Sequence, residues 1–316
     1  MSESEEETSK NMTGNMIKRY LSEFSRNAEG TGYAYLKLDL ENRELENISE
    51  ELSPYQQLKY LYFSGNRFSN IIVLSRLPNI LRLELAGNRI SSLEFFNNEE
   101  TFINLQYLDL SKNMIRNLTA IKVPKLLFLS LSQNEIINTD QFQGHPNLKK
   151  FELRGNKIAN ISGMKGMPKL EELYLSENNI SFIDALEELP SLKRLHLRKN
   201  NISVIEEDKT PELPELNYLN LRENLLKDVN KLVSLKKYLK LEKVVLAENP
   251  CWASNELIKE ILIFMPKLQG INKQSISDVD REAAYNLASE RFQVAEAARK
   301  EAERKAQEAL DKEVKD

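Results

Sequence analysis

Two histidines, His145 and His196, and one cysteine, Cys251, are the whole supply of imidazole and thiol in 316 residues. A zinc site needs several such ligands at short spacing, and Cys–His chemistry needs a thiol and an imidazole side by side. His145 precedes a proline in a turn, and His196 alternates with leucines in a strand-like run. Neither has a cysteine partner or a second histidine at metal-ligand spacing. The single thiol excludes an intramolecular disulfide, fits a reducing compartment, and reads as a packed apolar side chain. Neither G-x-x-x-x-G-K-[ST] nor G-x-G-x-x-G occurs, so no loop is patterned to cradle a phosphate. Carboxylates are plentiful, 48 against 44 lysines and arginines, but on the outward sites of a repeat they are solvated surface. The chain is therefore expected to be no enzyme, with no catalytic residue, metal or cofactor.

The elements that position these residues come from a repeat. LKKFELRGNKI at 148–158, LEELYLSENNI at 170–180 and LKRLHLRKNNI at 192–202 all fit L-x-x-L-x-L-x-x-N-x-I. The asparagine recurs at Asn66, Asn88, Asn113, Asn134, Asn156, Asn178, Asn200, Asn224 and Asn249. An earlier unit over 35–45 has Arg43 in that slot, and a strand-like piece over 266–271 follows the last full unit. Self-similarity at this period and pattern is the mark of a leucine-rich repeat array, here of about ten units. L-x-L is a short strand with its leucines inward, which gives an α/β solenoid with a parallel sheet on its concave side. The asparagine amide is placed to bond turn backbone from repeat to repeat, which matters in a chain with only 10 glycines. Seven prolines, among them Pro124, Pro146 and Pro168, stand two residues before a strand's first apolar residue. There a proline ends the convex segment and leads into the strand. The apolar spacing of about three after each asparagine suits short helical or 3₁₀ turns. Longer spacings mark insertions near 94–101, 206–210 and 227–237.

An exposed solenoid end needs a cap. Met16, Ile17, Tyr20, Leu21 and Phe24 form an amphipathic stripe, so 14–31 is expected to be an N-terminal helical cap after an acidic disordered tail over 1–13. The array then covers 32–249 and a C-terminal cap 250–276, with its helix over 255–265. From 277 to 316 the chain is charged, alanine-rich and free of proline and glycine, which predicts one helix roughly 50 Å long. Its i, i+4 pairs Glu296–Lys300, Glu301–Lys305 and Glu308–Lys312 support it. This helix is expected to extend from the array and dock elsewhere. A net charge of −4 gives no broad basic field for nucleic acid or anionic membrane. No apolar run approaches the ~18 residues of a membrane span. The acidic, serine-rich N-terminus is unlike a secretory signal, so an intracellular protein is expected.

What remains is the surface of the sheet. The third, fifth and seventh positions of each repeat face out on the concave side, where aromatics have no core role and Tyr and Arg are favoured interface anchors. Tyr60, Tyr62, Tyr107 and Phe128 make an aromatic stretch in the N-terminal half. Lys150, Arg154, Arg194, His196, Arg198 and Arg222 make a basic patch further on, with Tyr174 and Tyr218 beside it. These residues are the expected partner-binding set, for protein and not for small molecules.

The repeat resembles the 22-residue intracellular class found in phosphatase-1 regulators, a spliceosomal subunit and axonemal proteins. Across nearly the whole chain the order is closer to one family. GYAYLKLDLENRELENI at 32–48 opens without the asparagine. FELRGNKI, MPKLEELYLSENNI, LPSLKRLHLRKNNI and LNYLNLREN follow, and ENPC, MPKLQGIN and a charged helix close it. That order resembles the leucine-rich repeat radial-spoke family of motile cilia. Asn272 departs from the aspartate common after the last strand, and the tail is alanine-rich. The resemblance implies a structural spoke subunit, at or near the head, located in cytoplasm, cytoskeleton and axoneme. Its partners would be other spoke and axonemal proteins. The alternatives are a phosphatase-1 regulatory protein and a spliceosomal-type adaptor.

Overall fold

The computed structural model describes residues 10–26, 32–183, 186, 188–208, 210–253 and 257–313. Helix α1 (Gly14–Tyr20) is followed by strand β1 (Leu21–Arg26). Then come β2 (Tyr33–Asp39), β3 (Tyr60–Tyr62), β4 (Arg82–Glu84), β5 (Tyr107–Asp109), β6 (Phe128–Ser130) and β7 (Lys150–Glu152). They continue as β8 (Glu172–Tyr174), β9 (Arg194–His196), β10 (Tyr218–Asn220) and β11 (Lys243–Val245). Helix α2 (Leu257–Phe264), β12 (Gly270–Ile271), β13 (Gln274–Ser275) and helix α3 (Asp278–Glu313) complete the chain. The strands form one 13-stranded sheet in sequence order. Its first and last pairings are antiparallel, and those between are parallel.

The sheet is built from one inward residue per strand. Leu61, Leu83, Leu108, Leu129, Phe151, Leu173, Leu195, Leu219 and Val244 stand in register and are buried. Burying each leucine contributes ~1.5–3 kcal/mol. The asparagine ladder joins these layers. Asn156 Nδ2 donates to Leu131 O of the preceding repeat (2.9 Å) and to Leu153 O of its own (3.0 Å), while its Oδ1 accepts from Ile136 N (3.0 Å). Asn88, Asn178 and Asn200 repeat this arrangement. The residue before each asparagine is left-handed, whether it is Gly65 (φ 70°), Lys112 (55°), Glu177 (58°) or Glu223 (56°).

The prolines act through turns. In 167–170 Leu170 N–H donates to Met167 O (3.1 Å), with Pro168 at the second turn position that its fixed φ suits. The residue after the proline slot, which Ile103 fills in one repeat, adds a second, exposed ladder: Asn104 Nδ2 reaches Pro78 O (3.0 Å), Asn147 Nδ2 reaches Pro124 O (2.9 Å) and Ser191 Oγ reaches Pro168 O (2.7 Å). On the convex side 3₁₀ turns cover Glu50–Leu52, Ile72–Arg76 and Glu94–Phe96, and the insertion near 227–237 becomes a 3₁₀ run over Val229–Lys237.

Both ends differ from expectation. The acidic tail was expected to be disordered through residue 13, but Met12 is buried, its N–H donates to Asn47 O, and Thr13 caps α1; residues 1–9 lie outside the described residues. The N-terminal cap is not one helix. Only Gly14–Tyr20 is helical, because β2 offers an open row of backbone groups and Leu21–Arg26 closes it as an antiparallel strand. Residues 27–31 of the expected cap lie outside the described residues. Arg43, alone in the asparagine slot, stacks its guanidinium 3.7 Å from the centre of the Tyr20 ring. The first repeat has no earlier neighbour to bond, so its slot holds the cap instead.

At the C-terminal end α2 buries Leu257, Ile261 and Leu262, and Cys251 is buried beside them in the core. Helix α3 starts from a reciprocal cap between Ser277 and Asp280. Its first turns lie against α2: Ala284 is buried, Arg281 donates to Pro266 O and Leu268 O, and Arg291 forks onto Glu260. Beyond Arg291 the helix stands clear, with Phe292 and Val294 exposed. The pairs Glu296–Lys300 (2.9 Å) and Glu301–Lys305 (3.5 Å) form, and the side chains of Glu308 and Lys312 lie outside the described residues.

Candidate interaction face

In-register parallel strands put like positions about 4.8 Å apart, so flat side chains on neighbouring repeats stack. Tyr107 and Phe128 lie parallel with centroids 4.2 Å apart, and the Arg82 guanidinium covers the other face of Tyr107 at 3.6 Å. Lys150 bridges onward, 5.5 Å from the Phe128 ring and 4.9 Å from Tyr174. Tyr174 then stacks on His196 (4.3 Å), and His196 meets Tyr218 at 5.0 Å. Six strands, β4, β5, β6, β7, β8 and β9, thus carry one row of rings interrupted by two cations, Arg82 and Lys150, that ends on Tyr218 of β10. Each ring–ring contact is worth ~0.5–1.5 kcal/mol and each cation–ring contact ~0.5–1 kcal/mol, so the row is stiff. Tyr62 has its own cation, Lys37 at 4.5 Å, with Tyr60 beside it on β3.

Three aromatics extend this face beyond the expected set. Phe24 stacks on Tyr33 (5.3 Å) and packs against Tyr35 (5.1 Å), and all three rings are exposed on the concave side of the N-terminal edge. Their alternation is readable in YAYLKLD, whereas the apolar spacing around Phe24 reads as a helix and hides the partner ring.

The basic patch is largely neutralised. Arg154 pairs with Glu177 (2.8 Å), Arg198 with Glu223 (2.6 Å) and Arg222 with Glu248. In each case the glutamate is the left-handed residue before the next repeat's asparagine. These arginines are struts between repeats, each worth ~0–1 kcal/mol on an open surface. Lys150 pairs with Glu152 at 2.8 Å, and Arg194 lies 3.5 Å from Glu172. Burial moves the titrating groups of the row away from charge. His196 falls to about 4, with the Glu172 carboxylate opposing only part of the effect. Tyr174 rises to about 12, through burial and the bond its hydroxyl donates to Glu172 (2.8 Å). His145 is no part of this face; it is buried, Nε2 on Val123 O and Nδ1 accepting from Asn147 N. Among the described residues no cluster of three or more His, Cys, Asp or Glu is placed to hold a metal, and no helix is long and apolar enough to cross a membrane.

A stacked solenoid with a long, stiff concave face belongs to the class of leucine-rich repeat proteins that act as protein-interaction scaffolds. The family model described as leucine-rich repeat matches residues 145–302. Leucine-rich repeat-containing protein 23 of Bos taurus is 32% identical over 278 residues, covering 87% of this chain and 79% of the bovine one. Its Mus musculus counterpart is 36% identical over 278 residues, covering 87% and 80%. The chain belongs to the leucine-rich repeat-containing protein 23 family. Among solved structures, a chain from the Toll–Spatzle complex of Drosophila matches 74% of this chain and 35% of its own length with a TM-score of 0.56 at 20% identity, a likeness of fold.

Proposed function

We propose that the chain is a non-catalytic structural subunit of the axonemal radial spoke, at or near its head. There its concave face and terminal helix hold neighbouring spoke proteins in a motile cilium or flagellum. The observation that carries this reading is the row from Arg82 to Tyr218, a preformed aromatic surface that needs no ordering when a partner lands on it. Family membership and the serial order of opening unit, repeats, cap and helix support the spoke assignment. The free part of α3, with Phe292 and Val294 outward, suits a helix-in-groove contact with a second spoke component.

A tagged copy expressed in a ciliated cell tests this. Signal along the axoneme, lost from axonemes that lack spokes, is the expected result. Signal confined to the nucleus, or co-purification with a phosphatase-1 catalytic subunit in place of axonemal proteins, would overturn it.

A further inference from the structure

Across most of the concave face each cation already holds a carboxylate. Lys37 has Asp39 at 3.6 Å, Arg82 has Glu84 at 2.6 Å and Lys150 has Glu152 at 2.8 Å. The pattern breaks over β9, β10 and β11. Arg194, Tyr218 and Lys243 are cross-strand neighbours, which sets the two cations on either side of the Tyr218 ring about 10 Å apart. Lys243 is exposed and makes no ion pair among the described residues. Arg194, also exposed, has among the described residues only Glu172, at 3.5 Å, and that carboxylate is shared with the Tyr174 hydroxyl at 2.8 Å and Lys150 at 3.9 Å. Below the two cations lies an open depression of about 410 Å³, its floor formed by Tyr174, His196 and Tyr218. One acidic side chain, Glu242, lines its rim.

We propose that this depression is a docking site for an acidic, glutamate-rich segment of a protein partner, with carboxylates between Arg194 and Lys243 and the intervening chain on the Tyr174–His196–Tyr218 floor. The inference rests on the scaffold reading above and names the chemistry of one partner. The charge is local: two under-compensated cations flank an aromatic floor, while the chain as a whole is net negative at −4. A nucleic acid, whose binding grows with the number of phosphates neutralised, gains little from so short a basic stretch. A glutamate-rich peptide needs only two such contacts and uses the aromatic floor as well. Glu242 gives the site a direction, since an incoming carboxylate must stay on the side away from it.

The test uses the full chain and three fluorescent probes followed by anisotropy: a peptide alternating glutamate and alanine, its lysine counterpart, and a single-stranded oligouridylate of similar length. The glutamate peptide should bind and weaken with salt. Arg194→Gln with Lys243→Gln should lower its affinity about tenfold, and Glu242→Gln should raise it several-fold. Arg116→Gln, which removes a cation paired with Glu135 outside this face, should leave it unchanged. If the double variant loses stability, the gain expected from Glu242→Gln decides. Equal binding of the lysine peptide, tighter binding of the oligouridylate, or indifference to Glu242→Gln would overturn the proposal. Those outcomes leave the spoke reading standing, because it is tested by localisation.

Discussion

Replacing Asn156 with alanine removes three buried hydrogen bonds at once: two donated by the amide nitrogen, to Leu131 O and Leu153 O, and one accepted from Ile136 N. The orphaned N–H alone costs ~1–3 kcal/mol, since the site around Asn156 is buried. Two carbonyls each lose one partner, and a carbonyl tolerates that better than an amide, having a second lone pair. A net loss of ~2–4 kcal/mol follows, allowing for the fact that the three terms do not add. Asn147 is the matched control. Its amide donates to Pro124 O at a similar distance, 2.9 Å, but in solvent, so Asn147→Ala should cost under ~0.5 kcal/mol because water replaces the partner. Asn156→Asp keeps the acceptor and points a carboxylate at two carbonyls, so it should be worse than alanine at neutral pH. Its folded-state pKa is then raised, and stability returns as pH falls through that value. Urea unfolding followed by circular dichroism measures all three. Equal midpoints for Asn156→Ala and Asn147→Ala would refute the argument that burial sets the worth of the ladder.

Three further outcomes are expected. The Tyr238 hydroxyl is buried with no hydrogen-bond partner among the described residues and its ionisation is pushed up by burial, so Tyr238→Phe should be neutral or stabilising by ~1 kcal/mol; a lower melting temperature would reveal a partner. His145 and His196 are both held below the ordinary histidine value by burial, so the unfolded chain takes up protons first and stability is lost as pH falls through ~6.5. The urea midpoint should drop between pH 7.5 and 5.5, and His196→Phe, which keeps the stack, should remove a share of ~1 kcal/mol. Truncation after Val294 should leave the melting temperature unchanged, whereas truncation after Ile276 should lower it by removing Arg281, Ala284 and Arg291 from α2; equal melting curves would show that the packed turns carry no load.

The repeat interior was legible because one pattern recurs: each leucine, proline and ladder asparagine is interpreted by its equivalents a repeat away. The concave rows followed from period two, and with them the stacking of Tyr107 on Phe128. The ends were not legible in this way. Leu21–Arg26 has the apolar spacing of a helix, and what makes it a strand is the unsatisfied edge of β2, which no repeat inside the array possesses. The same holds for Gln274–Ser275, a strand only because β12 is there to pair with. The neutralised patch could have been anticipated. Arg154, Arg198 and Arg222 each meet a glutamate that directly precedes the next asparagine, a spacing visible once the repeats are aligned. Lys243 holds the third slot of its repeat, as Tyr218 and Arg194 do, so their adjacency was legible as well; that Lys243 makes no ion pair among the described residues is visible only in the geometry.

The order of the sheet also determines how the molecule answers to force. Strands follow one another along the long axis in sequence order, so tension between the two ends pulls across the strands and loads the interfaces in series. Each interface bears the full tension, and the weakest yields first while its neighbours hold. Failure therefore advances in single layers, each releasing roughly 70 Å of slack for a 22-residue unit at ~3.3 Å per residue. Compression along the same axis presses the layers together and meets stacked rings and packed leucines. The solenoid is a strut, firm when pushed and yielding in steps when pulled.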